Sequence, residues 1–217
     1  MSILELMRSR HSVRAYLDKP IEDDKKNALN ELIAALNADY GTNVQIFFDD
    51  ETAFKNATAS YGNFQGCKNY AALVGSDPVT AGYVGEILAL KAQSLGLNSC
   101  FVALTYNKGV VKSKISLKKG EKLQCSLALG YGKTQGTPRK SKTREQVLDV
   151  RGEVPDNLEQ IVEACLLAPT AINQQKFKII CENGDVEIKK SGLGFYTDFD
   201  LGIIKCHKDL ITEKITL

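Results

Sequence analysis

Between Arg8 and Arg14 the chain reads Arg8-Ser9-Arg10-His11-Ser12-Val13-Arg14: three arginines, two serines and a histidine, with no acid among them. Arginine's planar fork grips phosphate or ring oxygens two at a time, and serine and histidine add further donors. Such an array suits a phosphorylated, electron-poor ligand. A solvated basic run is the plainer alternative, and the segment by itself does not choose between them.

Other reactive residues are more easily set aside. The six cysteines, Cys67, Cys100, Cys125, Cys165, Cys181 and Cys206, form no CxxC pair, and most lie in apolar stretches such as Leu123-Gln124-Cys125-Ser126-Leu127. They read as buried free thiols of a reducing cytoplasm. Only His11 and His207 could join them on zinc, and neither has ligand spacing, so no metal is expected. Cys206 and His207 are neighbours on a predicted helix and point apart, so they form no nucleophile–base pair; they read as helix packing and surface. Gly132-Lys133-Thr134 imitates the end of a P-loop, but Leu127 occupies the place of its first glycine. Lys108, Lys112, Lys114, Lys118 and Lys119 read as a solvated basic face, and Glu22, Asp23 and Asp24 as helix-start charges.

The elements that would position the basic segment follow from periodicity. Met1 to Met7 is a helical turn too short and too charged for a signal peptide. Pro20-Ile21-Glu22-Asp23-Asp24 opens a helix with Leu29, Leu32, Ile33 and Leu36 on one face. Strands are expected at 44–48, 71–74, 100–104 and 123–131, helices at 79–95 and 108–115, and a loop over 52–66. Residues 133–144 contain no apolar side chain except Pro138 and have linker composition. Beyond them a helix from Val154 carries Leu158, Ile161, Val162 and Cys165 at the spacing of 29, 32, 33 and 36. It stops at Ala168-Pro169, a strand follows at 177–180, and Leu201–Cys206 parallels Val84–Ala89 in a later helix.

The 217 residues suffice for one well-buried domain. A net charge of +2 from 28 basic and 26 acidic residues argues against nucleic acid or an anionic membrane as a general partner, and no apolar run approaches membrane-spanning length.

Two segments together carry a resemblance. The basic segment before a proline-led helix, and Ala168-Pro169-Thr170-Ala171-Ile172-Asn173-Gln174-Gln175 after a later helix, are similar to the flavin-binding signature of the nitroreductase family. Ser94–Val102 resembles the family's helix-to-strand passage beside the flavin. Leu129-Gly130-Tyr131-Gly132 with Lys140-Ser141-Lys142 resembles its strand end and phosphate-side tail. In the family two subunits share each flavin mononucleotide (FMN) site. Here the first helix has the basic segment without the loop, and the second has the loop without the basic segment. The resemblance therefore implies a diverged internal duplication, with pseudo-repeats of about 1–145 and 146–217 in a single domain, that folds one chain into an imitation of the dimer. It implies an α+β fold: a mixed, mainly antiparallel sheet flanked by helices. A monomer would then suffice.

What the resemblance implies for the site follows from what flavin needs. Arg10, Lys140 and Lys142 would meet the phosphate. Arg14 would set a cation beside the ring where charge gathers on reduction, the nearest thing to a catalytic residue. His11 and Ser12 would bond the ring or ribityl chain. Ala103 and Leu104 would run beside the ring in place of the usual small residues. Pro169 and Ala171 would pack on its face, with Thr170 and Asn173 as polar contacts. The implied activity is transfer of two electrons from NADH or NADPH through FMN to a nitroaromatic, quinone or similar flat acceptor. A flavin store or redox sensor without turnover is the alternative. A nucleic-acid surface built on the basic segment and lysine helix is a weaker one, since it gives residues 168–175 no role.

Overall fold

The computed structural model describes every residue of the chain except Thr216, and every one of these side chains except that of Thr58. Four strands form one sheet in the order β1 (Gln45–Phe47), β2 (Asn69–Gly75), β4 (Lys122–Gly130), β3 (Asn98–Val102), all neighbours antiparallel. Three more form a second sheet: β5 (Leu148–Arg151) lies parallel to β6 (Phe177–Glu182), and β7 (Asp185–Lys190) pairs antiparallel with β6. The strands are thus mainly antiparallel with one parallel pair, divided between two sheets.

The four-stranded sheet is covered on both faces, which is why Asn69–Gly75 is buried throughout rather than alternately. Ala71, Leu73, Leu127 and Leu129 face a core that includes Leu29, Ile33 and Leu36 of α2 (Asp23–Tyr40) and Val84, Leu88 of α4 (Pro78–Ser94). The same core takes in Ile161 and Cys165 of α7 (Leu158–Leu167) and Ile203, Cys206 of α8 (Thr197–Ile211). Tyr70, Ala72, Val74 and Ala128 face Phe54, Phe64, Tyr106 and Val111 on the other side. All six cysteines are buried and unbridged.

Helix ends follow local chemistry. Asp77 accepts from Thr80 N at 2.8 Å at the start of α4, with Pro78 in its first turn. Gly41, at φ +62°, closes α2. A short helix α3 (Ala57–Tyr61) lies within the stretch expected to be loop, and α5 (Lys108–Lys114) and α6 (Arg144–Val147) complete the middle of the chain. β5 and β7 had no counterpart in the periodicity: four residues in β5, and an exposed, charged β7, carry little apolar alternation.

α4 and α8 cross at backbone contact, and the contact is reciprocal. A Cβ on Gly82 would stand 2.0 Å from Phe199 O, and one on Gly202 would stand 1.9 Å from Val79 O. No helix among the described residues is long and apolar enough to cross a membrane.

Candidate functional site

The basic segment is held by a helix end and a strand. α1 (Ile3–Ser9) opens with a Ser2–Glu5 capping box and closes at Arg10. From there the backbone runs extended beside the start of β3, where Val13 N donates to Ser99 O at 3.0 Å. Burial along the segment recurs at every third residue: Arg10, Val13 and Tyr16 are buried, His11 is half-buried, and Ser12 and Arg14 are exposed. Arg8 lies outside this set and forks onto Glu163 of α7 at 2.6 and 2.8 Å, fastening α1 to the later helix.

Residues 131–142, which include most of the stretch 133–144 of linker composition, pack over the segment instead of standing free. Gly132 N donates to Asn98 Oδ1 at 2.9 Å, and Asn98 Nδ2 donates to Gln135 Oε1 at 3.0 Å. At Gly136, φ +75°, a Cβ would come within 2.6 Å of His11 Cβ, so the two strips of chain touch where only glycine fits.

The loop 169–175 docks on the same strip. Asn173 Nδ2 and Gln175 Nε2 both donate to Lys140 O, at 2.7 and 3.1 Å. Gln175 Oε1 accepts from Lys142 N (2.9 Å) and Ser141 Oγ (3.2 Å), while Lys142 Nζ donates to Gln175 O at 2.6 Å. From the other side the Asp200 carboxylate of α8 accepts from Ala171 N at 2.9 and 3.1 Å and from Gln174 Nε2 at 2.8 Å. Thr170 Oγ1 accepts from Gln175 N at 3.0 Å. These bonds hold a backbone that local sterics oppose: Ile172, Asn173 and Gln175 all have positive φ, at 47°, 56° and 45°. A β-branched residue in that region is strained, and the Ile172 side chain stands 87% exposed.

Arg10, His11, Pro138, Arg139, Ser141, Glu163, Leu166 and Leu167 line a pocket of about 160 Å³ between the basic segment, the 138–141 strip and the end of α7. Positive charge dominates it. Burial, then the Arg10 and Arg139 charges, lower the His11 pKa. Burial, then Arg10, brings Arg139 down to about 10, with Glu86 opposing. Arg10 Nε, Nη1 and Nη2 and Arg139 Nε are buried and lack hydrogen-bond partners among the described residues. Buried donors of this kind fit an anionic group such as a cofactor phosphate.

Of the expected residues, Arg10 and His11 line this pocket, and Lys140, Lys142, Thr170, Ala171 and Asn173 belong to the strip and loop bonded beside it. Pro169 is buried within the loop. Ser12 and Arg14 face outward, and no acid among the described residues forms a salt bridge with the Arg14 guanidinium. Ala103 and Leu104 follow the end of β3, one half-buried and one exposed; Phe101, just before them, packs edge-on against Phe199, the neighbour of Asp200. No hydrogen bond ties Ala103 or Leu104 to the pocket residues. Missed in the sequence were Arg139, Gln175 and Asp200, and the buried pair of Glu86 and His207, whose Oε1 and Nε2 are 2.8 Å apart. His207 is fully buried, which corrects its expected place on the surface. Its signal was a lone acid, Glu86, inside the apolar run of α4.

The family described as "Putative TM nitroreductase" matches residues 2–212. With that match spanning nearly its whole length, the chain belongs to this nitroreductase-like family. Among solved structures, a "putative nitroreductase" from Thermotoga maritima is 22% identical, with a TM-score of 0.68 over 99% of this chain and 85% of that one. A "putative nitroreductase in complex with FMN" from Desulfovibrio desulfuricans is 16% identical, TM-score 0.52, over 68% and 95%. A "putative NADH dehydrogenase/NAD(P)H nitroreductase" from Bacteroides thetaiotaomicron is 19% identical, TM-score 0.51, over 67% and 95%. At these identities the likeness is one of fold. No curated protein matches the chain.

Proposed function

We propose that this protein is an FMN-dependent NAD(P)H oxidoreductase that passes two electrons to a nitroaromatic, quinone or similar flat acceptor. The observation that supports the reading is the pocket where Arg10 and His11 meet residues 138–141, with buried arginine N–H groups that have no hydrogen-bond partner among the described residues, and with the loop 169–175 bonded to the same strip beside it. When bound, the flavin ring supplies the hydride chemistry itself; the chain's part is to bind, orient and tune it. Arg10 faces the phosphate end, with Lys140 at the exposed rim. Arg14 offers an unpaired cation for the charge that gathers on the ring. Ala171 gives an apolar contact, backed by the Pro169 ring buried within the loop, with Thr170, Asn173 and the exposed Ser12 as polar ones. Asp200 and Gln175 hold the strained loop in place before any ligand arrives, so the ordering cost is met in folding.

The two halves, about 1–145 and 146–217, are read as pseudo-repeats whose packing replaces that of two subunits, which leaves one flavin per chain. The reciprocal approach of Gly82 to Phe199 and of Gly202 to Val79 supports this, since a twofold relation makes each contact the image of the other. The unbridged, buried thiols suit a cytoplasmic setting.

The test is to load the purified chain with FMN and mix it anaerobically with NADH and with NADPH. Loss of the oxidised flavin's visible band, followed by its return on adding a quinone or nitroaromatic, is expected. A protein that keeps its yellow colour under both donors is a flavin store, and the reading fails.

A further inference from the structure

The turn between β7 and α8, Ser191-Gly192-Leu193-Gly194-Phe195-Tyr196, has its polarity turned inside out. Leu193 stands 94% exposed and Phe195 75%. Their backbone carbonyls are satisfied from within: Lys176 Nζ donates to Leu193 O, and Gln174 Nε2 to Phe195 O at 2.6 Å. Two glycines permit this. Gly192 takes φ +95°, and a Cβ on Gly194 would stand 2.3 Å from Gln174 Oε1 and 2.9 Å from Lys176 Cδ. The backbone is thus pressed against Gln174 and Lys176 while two large apolar side chains are held out in water.

Gln174 ties this turn to the candidate site. The Nε2 that meets Phe195 O also reaches Asp200 Oδ2 at 2.8 Å, and Asp200 in turn holds Ala171 N. Two residues before Gln174 stands Ile172, exposed and in the left-handed region at φ 47°. Asparagine would take that backbone with less strain and meet water more favourably, so isoleucine there is costly on both counts. Three large apolar side chains on two bonded loops mark a contact surface, and size and charge narrow its occupant. They fall far short of the roughly 20–30 residues a side of a stable protein interface. The lysines leading into the turn are paired, Lys189 with Glu187 at 3.0 Å and Lys190 with Asp198, so little free charge faces an anionic surface. What fits is small, uncharged and apolar, beside the loop proposed to meet the flavin.

We infer that Leu193, Phe195 and Ile172 form an apolar ledge for an aliphatic substituent of the electron acceptor, which makes the acceptor class a flat ring bearing an alkyl tail. The inference rests on the proposed flavin oxidoreductase reading for the place of the ring; the ledge itself is a feature of the turn. Its effect is on binding alone. The tail is held equally before and during electron transfer, so it lowers KM and leaves kcat unchanged. Leu193 and Phe195 set specificity and touch no reacting atom.

The test uses the FMN-loaded protein, NADH or NADPH as donor, and the methyl, ethyl, propyl and butyl esters of 4-nitrobenzoate, which share one reacting group and differ only in tail length. kcat/KM should rise about 2–4-fold per methylene, the range for a half-buried to a fully buried CH₂, with kcat steady. Leu193→Ser and Phe195→Ser should each flatten that rise and leave the methyl ester's kcat/KM as in the wild type. Phe195→Trp should keep it, as should Leu117→Ser, which removes an exposed leucine beyond α5. A second readout needs no turnover. The chain holds no tryptophan, so the emission of Phe195→Trp reports on the ledge alone, and butyl benzoate should shift it to the blue more than methyl benzoate does. An unchanged rise in both serine variants, with an unmoved emission, overturns the ledge and leaves the flavin reading standing. So does an equal loss for the methyl and butyl esters, which places the variants' effect on the ring or the fold. Sedimentation with phosphatidylcholine vesicles that Leu193→Ser abolishes assigns the ledge to a bilayer and overturns the inference as well. A blue shift without turnover of any ester keeps the ledge and overturns the oxidoreductase reading.

Discussion

Asp200 is where a single proton bears on the candidate site. Burial pushes its carboxyl up to about 6 from the ordinary 3.8, opposed by hydrogen bonds from Gln174 and Ala171. Between those values the folded chain binds more protons at this group than the unfolded chain does, so stability falls as pH rises from about 4 to about 6. Asp200→Asn should remove that component, on the order of 2–3 kcal/mol across the interval. Denaturant unfolding at several pH values would show it, and an identical slope in the variant would contradict it. Arg14 makes the opposite kind of prediction, one of tuning. Arg14→Ala should lower the two-electron potential of bound FMN by tens of millivolts, at about 30 mV per 1.4 kcal/mol of lost stabilisation. Spectroelectrochemical titration reads it, and an unchanged potential with unchanged affinity would take Arg14 out of the site. Single residues were unevenly legible in the sequence. Arg10 and Asn173 stood out through their segments, whereas Asp200, Gln175 and Arg139 act through backbone groups distant in the chain, which residue type alone does not reveal.

The elements were read largely from apolar spacing, and the physics explains both the successes and the omissions. α2 and α7 announce themselves because Leu29, Ile33 and Leu36, like Ile161, Val162 and Cys165, must reach one core. β7 shows no such stripe, since Ile188 is its only buried residue. The stretch 133–144 looked like a linker for a real reason: it has no apolar side chain but Pro138, and it packs instead through Gly136, amides and the half-buried Arg139. The α4–α8 crossing depends on a feature that hydropathy does not register, the absence of two Cβ atoms. Gly82→Ala and Gly202→Ala should each cost about 1–3 kcal/mol or more, because backbone must move to admit the methyl group. Gly109→Ala in α5, where a Cβ meets only Asn107 Oδ1 at 3.5 Å, should be neutral or stabilising by up to about 1 kcal/mol. Comparable stabilities for all three variants would mean that the helices do not rely on that close approach. The crossing also pairs Gly202 with Gly82, one helical turn from the Gly85 that sequence comparison of the two helices suggests.

At the scale of the whole molecule, one polypeptide holds a basic segment near its start and a strained loop near its end against the same strip of chain. Complementary losses in two similar helix–strand units are the sequence's reason to expect those two segments to share one site. The division of the strands into two sheets did not show, because pairing partners leave no mark in a single sequence. The most direct measurement is the visible spectrum and flavin stoichiometry of the purified chain after loading, with its mass in solution determined on the same sample. One FMN per chain, bleached by NADH or NADPH, in a particle of one chain's mass is the predicted result. A colourless protein that takes up no flavin, or a flavin bound only when two chains associate, would contradict the account.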